Sequence, residues 1–418
     1  MPAPFDATPM HAWLDTQRDA LADRVERWAR VNSGSANGAG LDAMLDLLEP
    51  ELRRVAGRVE RVALPDASRV DDAGVVQAES SADALRARVR PDAPRQALLV
   101  IHFDTVYGPD HPFQAVRRIG DDAFGPALHG PGVTDAKGGL AVMLAGLDAF
   151  ERHATDAMKA ALGWTVVLNP DEETGSFASR DLLEAEAKRA KFGMVYEPAL
   201  PNGDLIGARK GSGNFAVVVR GKAAHAGREF FKGRNAIVAA SDLATRLSGL
   251  TDEATGTTVN VARIAGGGAN NVVPDLAVLR GNTRVADVDG QQRIEAALAE
   301  AVRELDRRDG FTAELHGGFN NPPKPLSNGA AGMLEALHAV GEDSAVGVRF
   351  DVQTSGGVCD GNKLAACGLP VIDTLGPVGR DIHSDRETLA LDSLVPRAKL
   401  SAGLLAGVAS GRFSLSAK

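Results

Sequence analysis

The sequence predicts an α/β protein: a mainly parallel mixed sheet with helices on both faces, carrying an inserted ferredoxin-like βαββαβ unit. Three observations support this. Short apolar runs such as Ala97-Leu98-Leu99-Val100-Ile101 and Trp164-Thr165-Val166-Val167-Leu168 have the length and character of buried strands. Segments with apolar residues at helical spacing alternate with these runs, the pattern of a sheet covered on both sides. In the middle of the chain the rhythm changes to strand, helix, strand, strand, helix, strand.

Taken in order, Trp13, Leu14, Leu21, Val25 and Trp28 recur at helical spacing, so residues 10–31 are expected to form one amphipathic helix and 41–55 a second. A strand over 97–101, a helix over 139–150, a strand over 164–168, a helix over 179–190 and a strand over 192–196 follow. The inserted unit is assigned to 210–322, with strands at 214–220, 256–264, 277–285 and 312–316 and helices at 236–250 and 291–307. Pro322, Pro323 and Pro325 form a stiff boundary. Residues 1–209 and 323–418 then belong to the main sheet unit, whose second part holds a helix near 333–340, strands at 345–350 and 371–374, and a last helix from Leu394.

Composition limits the function. The 418 residues at roughly 150 per domain suggest two or three domains. With 44% apolar and 24% charged residues the chain is an ordinary globular protein, not a disordered or fibrous one. The 46 basic and 55 acidic side chains leave a net charge of −9, which argues against nucleic-acid or membrane partners. No apolar run approaches the roughly 20 residues of a membrane span. Residues 1–8 lack the basic and apolar regions of a secretory leader. A cytoplasmic protein is expected, or a periplasmic one if a leader has been removed. Cys359 and Cys367 are too few for a disulfide framework and wrongly spaced for a zinc knuckle, so any metal must be held by His and carboxylate.

Five segments at or after strand ends carry candidate chemistry, where open α/β sheets bind ligands. His102 and Asp104 lie two apart and share a face of an extended chain, which suits a metal-ligating imidazole oriented by a carboxylate. Asp135 lies in a glycine-rich turn that lacks the phosphate-loop spacing; it is a ligand, a helix cap, or both. Asp171-Glu172-Glu173 places three acids together after a buried strand, where like charges need a cation or a shifted pKa. Glu197 and His383 complete the set. Two divalent cations would balance Asp135, Glu173, Glu197 and one hydroxide, with His102 and His383 neutral and Glu172 left over as a base. Hard carboxylates with imidazoles suit two Zn²⁺ ions, and Co²⁺ or Mn²⁺ would also fit.

At these residues the chain resembles the di-zinc metallopeptidases that include glutamate carboxypeptidase, aminoacylase, acetylornithine deacetylase and succinyl-diaminopimelate desuccinylase. The matching strings are His102-Phe103-Asp104-Thr105-Val106-Tyr107, Gly130-Pro131-Gly132-Val133-Thr134-Asp135-Ala136-Lys137-Gly138-Gly139 and Asp171-Glu172-Glu173-Thr174-Gly175-Ser176. Gly221-Lys222-Ala223-Ala224-His225-Ala226-Gly227, Asn271-Val272-Val273-Pro274 and His383-Ser384 follow in family order. The strings Asp104-Thr105-Val106-Tyr107 and Gly175-Ser176-Phe177-Ala178-Ser179-Arg180-Asp181 are most similar to the glutamate carboxypeptidase branch.

The resemblance implies a zinc-exopeptidase fold in which Asp135 bridges two zinc ions. His102 and Glu197 would complete one site, and Glu173 and His383 the other. Glu172 would be the general base then acid, with Asp104 orienting His102. It further implies a homodimer formed through the inserted unit, with His225 reaching the partner's site to stabilise an oxyanion; read from its turn alone, His225 is an exposed loop residue. Asn271 and Arg284 match positions that hold a substrate carboxylate, for which an Arg fork is the expected partner. The expected reaction is hydrolysis of an amide next to a free carboxylate, releasing an amino acid such as glutamate; an N-acyl-amino-acid deacylase is the alternative, and a non-catalytic binding protein of the same fold the remote one. The chain departs from the family at Gly356-Gly357-Val358-Cys359-Asp360-Gly361, where a Gly-Gly-Gly-Thr-Asp run is usual, which affects substrate choice.

Overall fold

Along the strand Arg95–His102 successive side chains point to opposite faces of the sheet. Ala97, Leu99 and Ile101 enter one apolar cluster, while Leu98 and Val100 enter another. This double burial is the reason for the unbroken apolar run in the sequence. The computed structural model describes residues 5–415 and places this strand within a sheet of six. Its order is Glu60–Val62, Ala84–Val89, Leu162–Asn169, Arg95–His102, Phe192–Val195 and Val371–Ile372. The first two pairings are antiparallel and the other three parallel, the mainly parallel mixed sheet that the sequence predicts. Helices Gly139–His153, Leu394–Ser410 and Asn328–Gly341 pack with the amino-terminal helices on one face. Helices Arg180–Ala187 and Asp360–Ala366 cover the other.

A second sheet has the order Thr258–Gly266, Leu276–Val285, Gly211–Arg220, Thr312–Asn321, antiparallel throughout. Helices Ala236–Ser248 and Val288–Asp306 cover one face and share an apolar cluster with it. On the other face lies a hairpin, Ala67–Val70 with Val76–Glu79, whose Val70 packs with Val218 and Val278. Asp72 pairs with Arg263 and Arg280, and Arg220 Nη2 donates to the Gly74 carbonyl at 2.9 Å. The two chain segments that link the sheets are hydrogen-bonded to each other, Arg209 N to Lys324 O at 2.9 Å and Lys324 N to Arg209 O at 3.0 Å.

Two sequence expectations need correction. Residues 10–31 form two helices, Thr8–Asp15 and Arg18–Ala29, not one. The Thr16 hydroxyl donates to the Trp13 carbonyl at 2.6 Å and Gln17 N to the Leu14 carbonyl at 3.0 Å, closing the first helix before the second begins. Residues 345–350 are not a strand. Val346 N and Gly347 N both donate to the Asp343 carbonyl, Gly347 takes φ +64°, and Val346 and Phe350 are buried from an irregular segment. The nearby strand is Val352–Ser355, parallel to Leu205–Arg209. The alternation at 345–350 thus reflects loop side chains filling the core, not a pleat.

Gly139 opens the helix after the Asp135 turn, and a Cβ there would lie 2.1 Å from the Tyr196 carbonyl, at the exit of the strand that leads to Glu197. Backbone cannot yield as a flexible side chain can, so Gly139→Ala is expected to destabilise by about 1–3 kcal/mol in urea unfolding. Gly332→Ala, in the helix Asn328–Gly341 with open space around it, should instead stabilise by roughly 0.5–1 kcal/mol.

Candidate metal centre

The carboxyl ends of three neighbouring strands converge on one buried place. His102 ends the central strand Arg95–His102, Glu172 and Glu173 follow Leu162–Asn169 on one side, and Glu197 follows Phe192–Val195 on the other. Asp135 arrives from the turn before the helix Gly139–His153. His383 arrives from the loop between the short strands Gly379–Arg380 and Thr388–Ala390. His102 Nε2 lies 3.0 Å from Asp135 Oδ1 and 3.8 Å from Glu197 Oε1. His383 Nε2 lies 3.3 Å from Asp135 Oδ2 and 3.1 Å from Glu173 Oε2. Asp135 therefore stands between the two imidazoles with one oxygen toward each. His102, Glu172 and Glu197 offer ligand atoms within 4.8 Å of one another, as do His102, Asp135 and Glu173.

Asp104 organises the group from behind. Its Oδ1 lies 3.1 Å from His102 Nδ1, its two oxygens accept the Glu172 and Glu173 amides at 3.2 Å each, and Oδ2 accepts the Ser35 hydroxyl at 2.7 Å. One buried carboxylate thus fixes an imidazole and the turn that carries two acids. Asp171 is not part of the cluster. It turns back to accept from Ala178 N, Ser179 N and the Ser179 hydroxyl, holding the loop.

The electrostatics show a demand for positive charge. Burial, followed by the charge of Glu197, pushes the Glu172 carboxyl well above the ordinary carboxylate range. Burial and Asp135 push Glu173 up to about 7. Burial acts to raise Asp135, yet the bonds from His102 and His383 outweigh it and hold that carboxyl below its usual value. The bonds from Asp135 and Glu173 in turn hold the His383 imidazole up at about 11. Raised carboxyls and a raised imidazole facing one another are what a set of donors arranged around divalent cations would show. Oxygen and imidazole donors converging from several elements, with excess negative charge, fit zinc or a similar divalent ion.

The residues expected to meet substrate lie elsewhere on the chain. His225 is exposed on a two-stranded ribbon, Ala224–His225 with Val272–Val273, and exposed Asn271 shares it, accepting from Ala226 N at 2.8 Å. Among the described residues no hydrogen bond or ion pair joins His225 or Asn271 to the carboxylate cluster. Arg284 is half-buried on the inserted sheet, and its Nη1 donates to the Gly356 carbonyl at 3.1 Å. Arg209 Nη1 donates to the adjacent Gly357 carbonyl at 3.2 Å. The departing loop is therefore gripped by two guanidiniums.

Sequence reasoning missed several groups that support the centre. Glu387, fully buried, accepts Gly132 N at 3.0 Å, Thr134 N at 2.8 Å and Asp135 N at 3.0 Å. Lys137, buried in the same turn, donates to the Val31 carbonyl at 3.2 Å, and burial lowers its ammonium to about 8. Arg209 holds Asp373 through two bonds of 2.9 and 3.0 Å, and Lys324 Nζ reaches the same carboxylate at 3.0 Å. The sequence signal for Glu387 was slight: a carboxylate four residues after His383, beside the exposed Asp385 and Arg386.

Known proteins carry the same frame. The chain is 29% identical over 388 residues to carboxypeptidase G2 from Pseudomonas sp., covering 91% of this chain and 87% of the relative. It is 31% identical over 307 residues to a succinyl-diaminopimelate desuccinylase from Azoarcus sp., covering 69% and 75%. A metallo-carboxypeptidase from Sulfolobus solfataricus superposes with a TM-score of 0.67 at 15% identity, over 93% of this chain and 99% of that one. Residues 98–407, a span that includes every member of the His–carboxylate cluster, match the model of peptidase family M20/M25/M40. The chain belongs to that family and is a metal-dependent hydrolase.

Proposed function

We propose that this hydrolase is a dinuclear zinc carboxypeptidase that cleaves an amide bond next to a free carboxylate, releasing a terminal amino acid such as glutamate. The observation that carries the reading is the grip on the loop at Gly356-Gly357. It joins Arg284, a candidate carboxylate anchor, to Arg209, whose charge acts on Glu197. The similarity to carboxypeptidase G2 over 388 residues supports it.

In this reading His102, Asp135 and Glu197 would hold one zinc, and Asp135, Glu173 and His383 the other. When bound, the pair supplies Lewis acidity and acidifies water at neutral pH. Glu172 takes a proton from the attacking water and returns it to the amine nitrogen as the C–N bond breaks, so the hydroxyl goes to the acyl carbon and the proton to the leaving group. Asp104 keeps His102 oriented through Nδ1. Arg284 and Asn271 take the substrate carboxylate. The inserted unit, 210–322, forms a homodimer, and His225 of each copy serves the other copy's oxyanion. The second reading, a deacylase of N-acyl amino acids, is favoured by the 31% identity to a desuccinylase.

Three outcomes test the proposal. The zinc-loaded protein should hydrolyse acyl- or peptidyl-glutamates in preference to the same compounds with the α-carboxylate amidated, and Arg284→Ala should erase most of that preference through KM. Faster turnover of simple N-acetyl or N-succinyl amino acids would favour the deacylase. Glu172→Gln should retain two metal equivalents by elemental analysis and lose at least about 100-fold in kcat, the scale of a general acid–base contribution. Mixing inactive Glu172→Gln and His225→Ala subunits should restore activity, because a mixed dimer keeps one site with both groups; no restoration would remove His225 from the partner's site.

A further inference from the structure

Two loops must meet for the metal centre to form, and they come from opposite ends of the sequence. One carries Asp135 and the other His383. Between them the chain forms a small four-stranded sheet in which Thr388–Ala390 pairs with Gly125–His129. That pairing sets the loops side by side without fixing the turn at Asp135 itself. Glu387 supplies the missing link. It belongs to the His383 loop, yet Oε1 accepts the Thr134 and Asp135 amides and Oε2 accepts the Gly132 amide. Its own carbonyl accepts Gly130 N at 3.3 Å, and its amide donates to Ser384 O at 3.2 Å. Tyr107 steadies the same loop, its hydroxyl donating to the Ser384 carbonyl at 2.8 Å.

We propose that Glu387 is a positioning residue that locks the Asp135 turn to the His383 loop and thereby sets the affinity of the metal bound by Asp135, Glu173 and His383. This rests on the metal assignments above. The centre's two halves depend on Glu387 unequally. His102 and Glu197 are presented by adjacent parallel strands, whose ladder holds them without Glu387. His383 has only its loop, and its backbone stands at φ +60°, an uncommon conformation for a side-chain-bearing residue that surrounding contacts must maintain. Three amides converging on one buried carboxylate provide such contacts, since charge-assisted bonds are the stronger kind.

Glu387→Gln is the informative variant. Its amide oxygen can still accept two of the three N–H groups, but its NH₂ must face the third, donor against donor. Titration of metal-free protein with Co²⁺, followed by visible absorption, is expected to give two tight equivalents for the unaltered chain. In Glu387→Gln the first equivalent, which shares Asp135 but keeps His102 and Glu197, should weaken only slightly, and the second should weaken about 10–100-fold, the usual effect of removing a group that orients metal ligands. Glu387→Asp keeps the charge and should weaken the second equivalent less; if Glu387→Gln does not fold, this variant carries the same comparison against the unaltered chain. Unchanged affinity for both equivalents, or equal weakening of both, would overturn the proposal. Failure of the unaltered chain to bind two equivalents would instead remove the metal assignments on which it rests.

Discussion

The structure depends on one electrostatic constraint: several carboxylates are drawn into a space too dry to leave them all charged without compensation. Asp104, Asp135 and Glu197 are buried and Glu172 and Glu173 partly so, and they meet at the ends of three strands with the buried His102 and the half-exposed His383 among them. Unpaired charges in such a place are costly, so each needs a donor or a cation. Asp104 is satisfied by amides, a hydroxyl and His102. The others have fewer protein donors; Asp135, Glu173 and Glu197 are the ones proposed to hold metal, and Glu172 the one proposed as the base. Structural and metal-binding acids therefore separate by how completely the protein itself satisfies them. Asp171, with three donors of its own, falls on the structural side although its two neighbours do not.

The same rule explains what was legible in the sequence. A buried parallel strand is a continuous apolar run, and polar residues at its carboxyl end stand out against it; His102, Glu173 and Glu197 stood out as a set, although His102 and Glu197 taken singly are more often structural. The inserted βαββαβ unit was visible from its alternation and helical periods. Glu387 was not. Its burial comes from a turn some 250 residues away in sequence, and among the charged residues around it nothing local distinguishes it from Asp385, which is exposed. The hairpin over 67–79 was missed for a related reason. Apart from Val70 it is mostly exposed and polar, and its packing surface belongs to another sheet.

His225, Asn271 and Arg284 illustrate a different limit. They resemble one functional set in the sequence, yet the chain disposes them differently. Two are exposed on a ribbon, and one is half-buried against the loop at Gly356. Within its own subunit the His225 ring accepts Gly227 N and, among the described residues, makes no bond to the carboxylate cluster. In the proposed reading a second copy brings the ribbon to the site, and catalysis and assembly would then be a single requirement.

That requirement places demands on how the inserted sheet is held. If the ribbon must reach another subunit's site while Arg284 serves its own, the sheet that carries both cannot pivot freely. Three features oppose such movement. The linking segments pair through Arg209 and Lys324, and the side chains of both residues converge on the buried Asp373. The hairpin at 67–79 grips the sheet's other face through Val70 and Asp72. Arg284 and Arg209 hold adjacent carbonyls of one loop. The first of these is the most demanding to disturb, because separating either cation from Asp373 would leave a buried charge unmatched, a cost of several kcal/mol by order of magnitude, roughly 3–5 for a broken buried pair. The hairpin and loop contacts are cheaper, being partly exposed ion pairs and single carbonyl bonds. The Arg209–Lys324–Asp373 junction is therefore the firmest of the three attachments. Because the Arg209 that anchors this junction also holds the Gly357 carbonyl, the junction and the glycine-rich loop share a side chain.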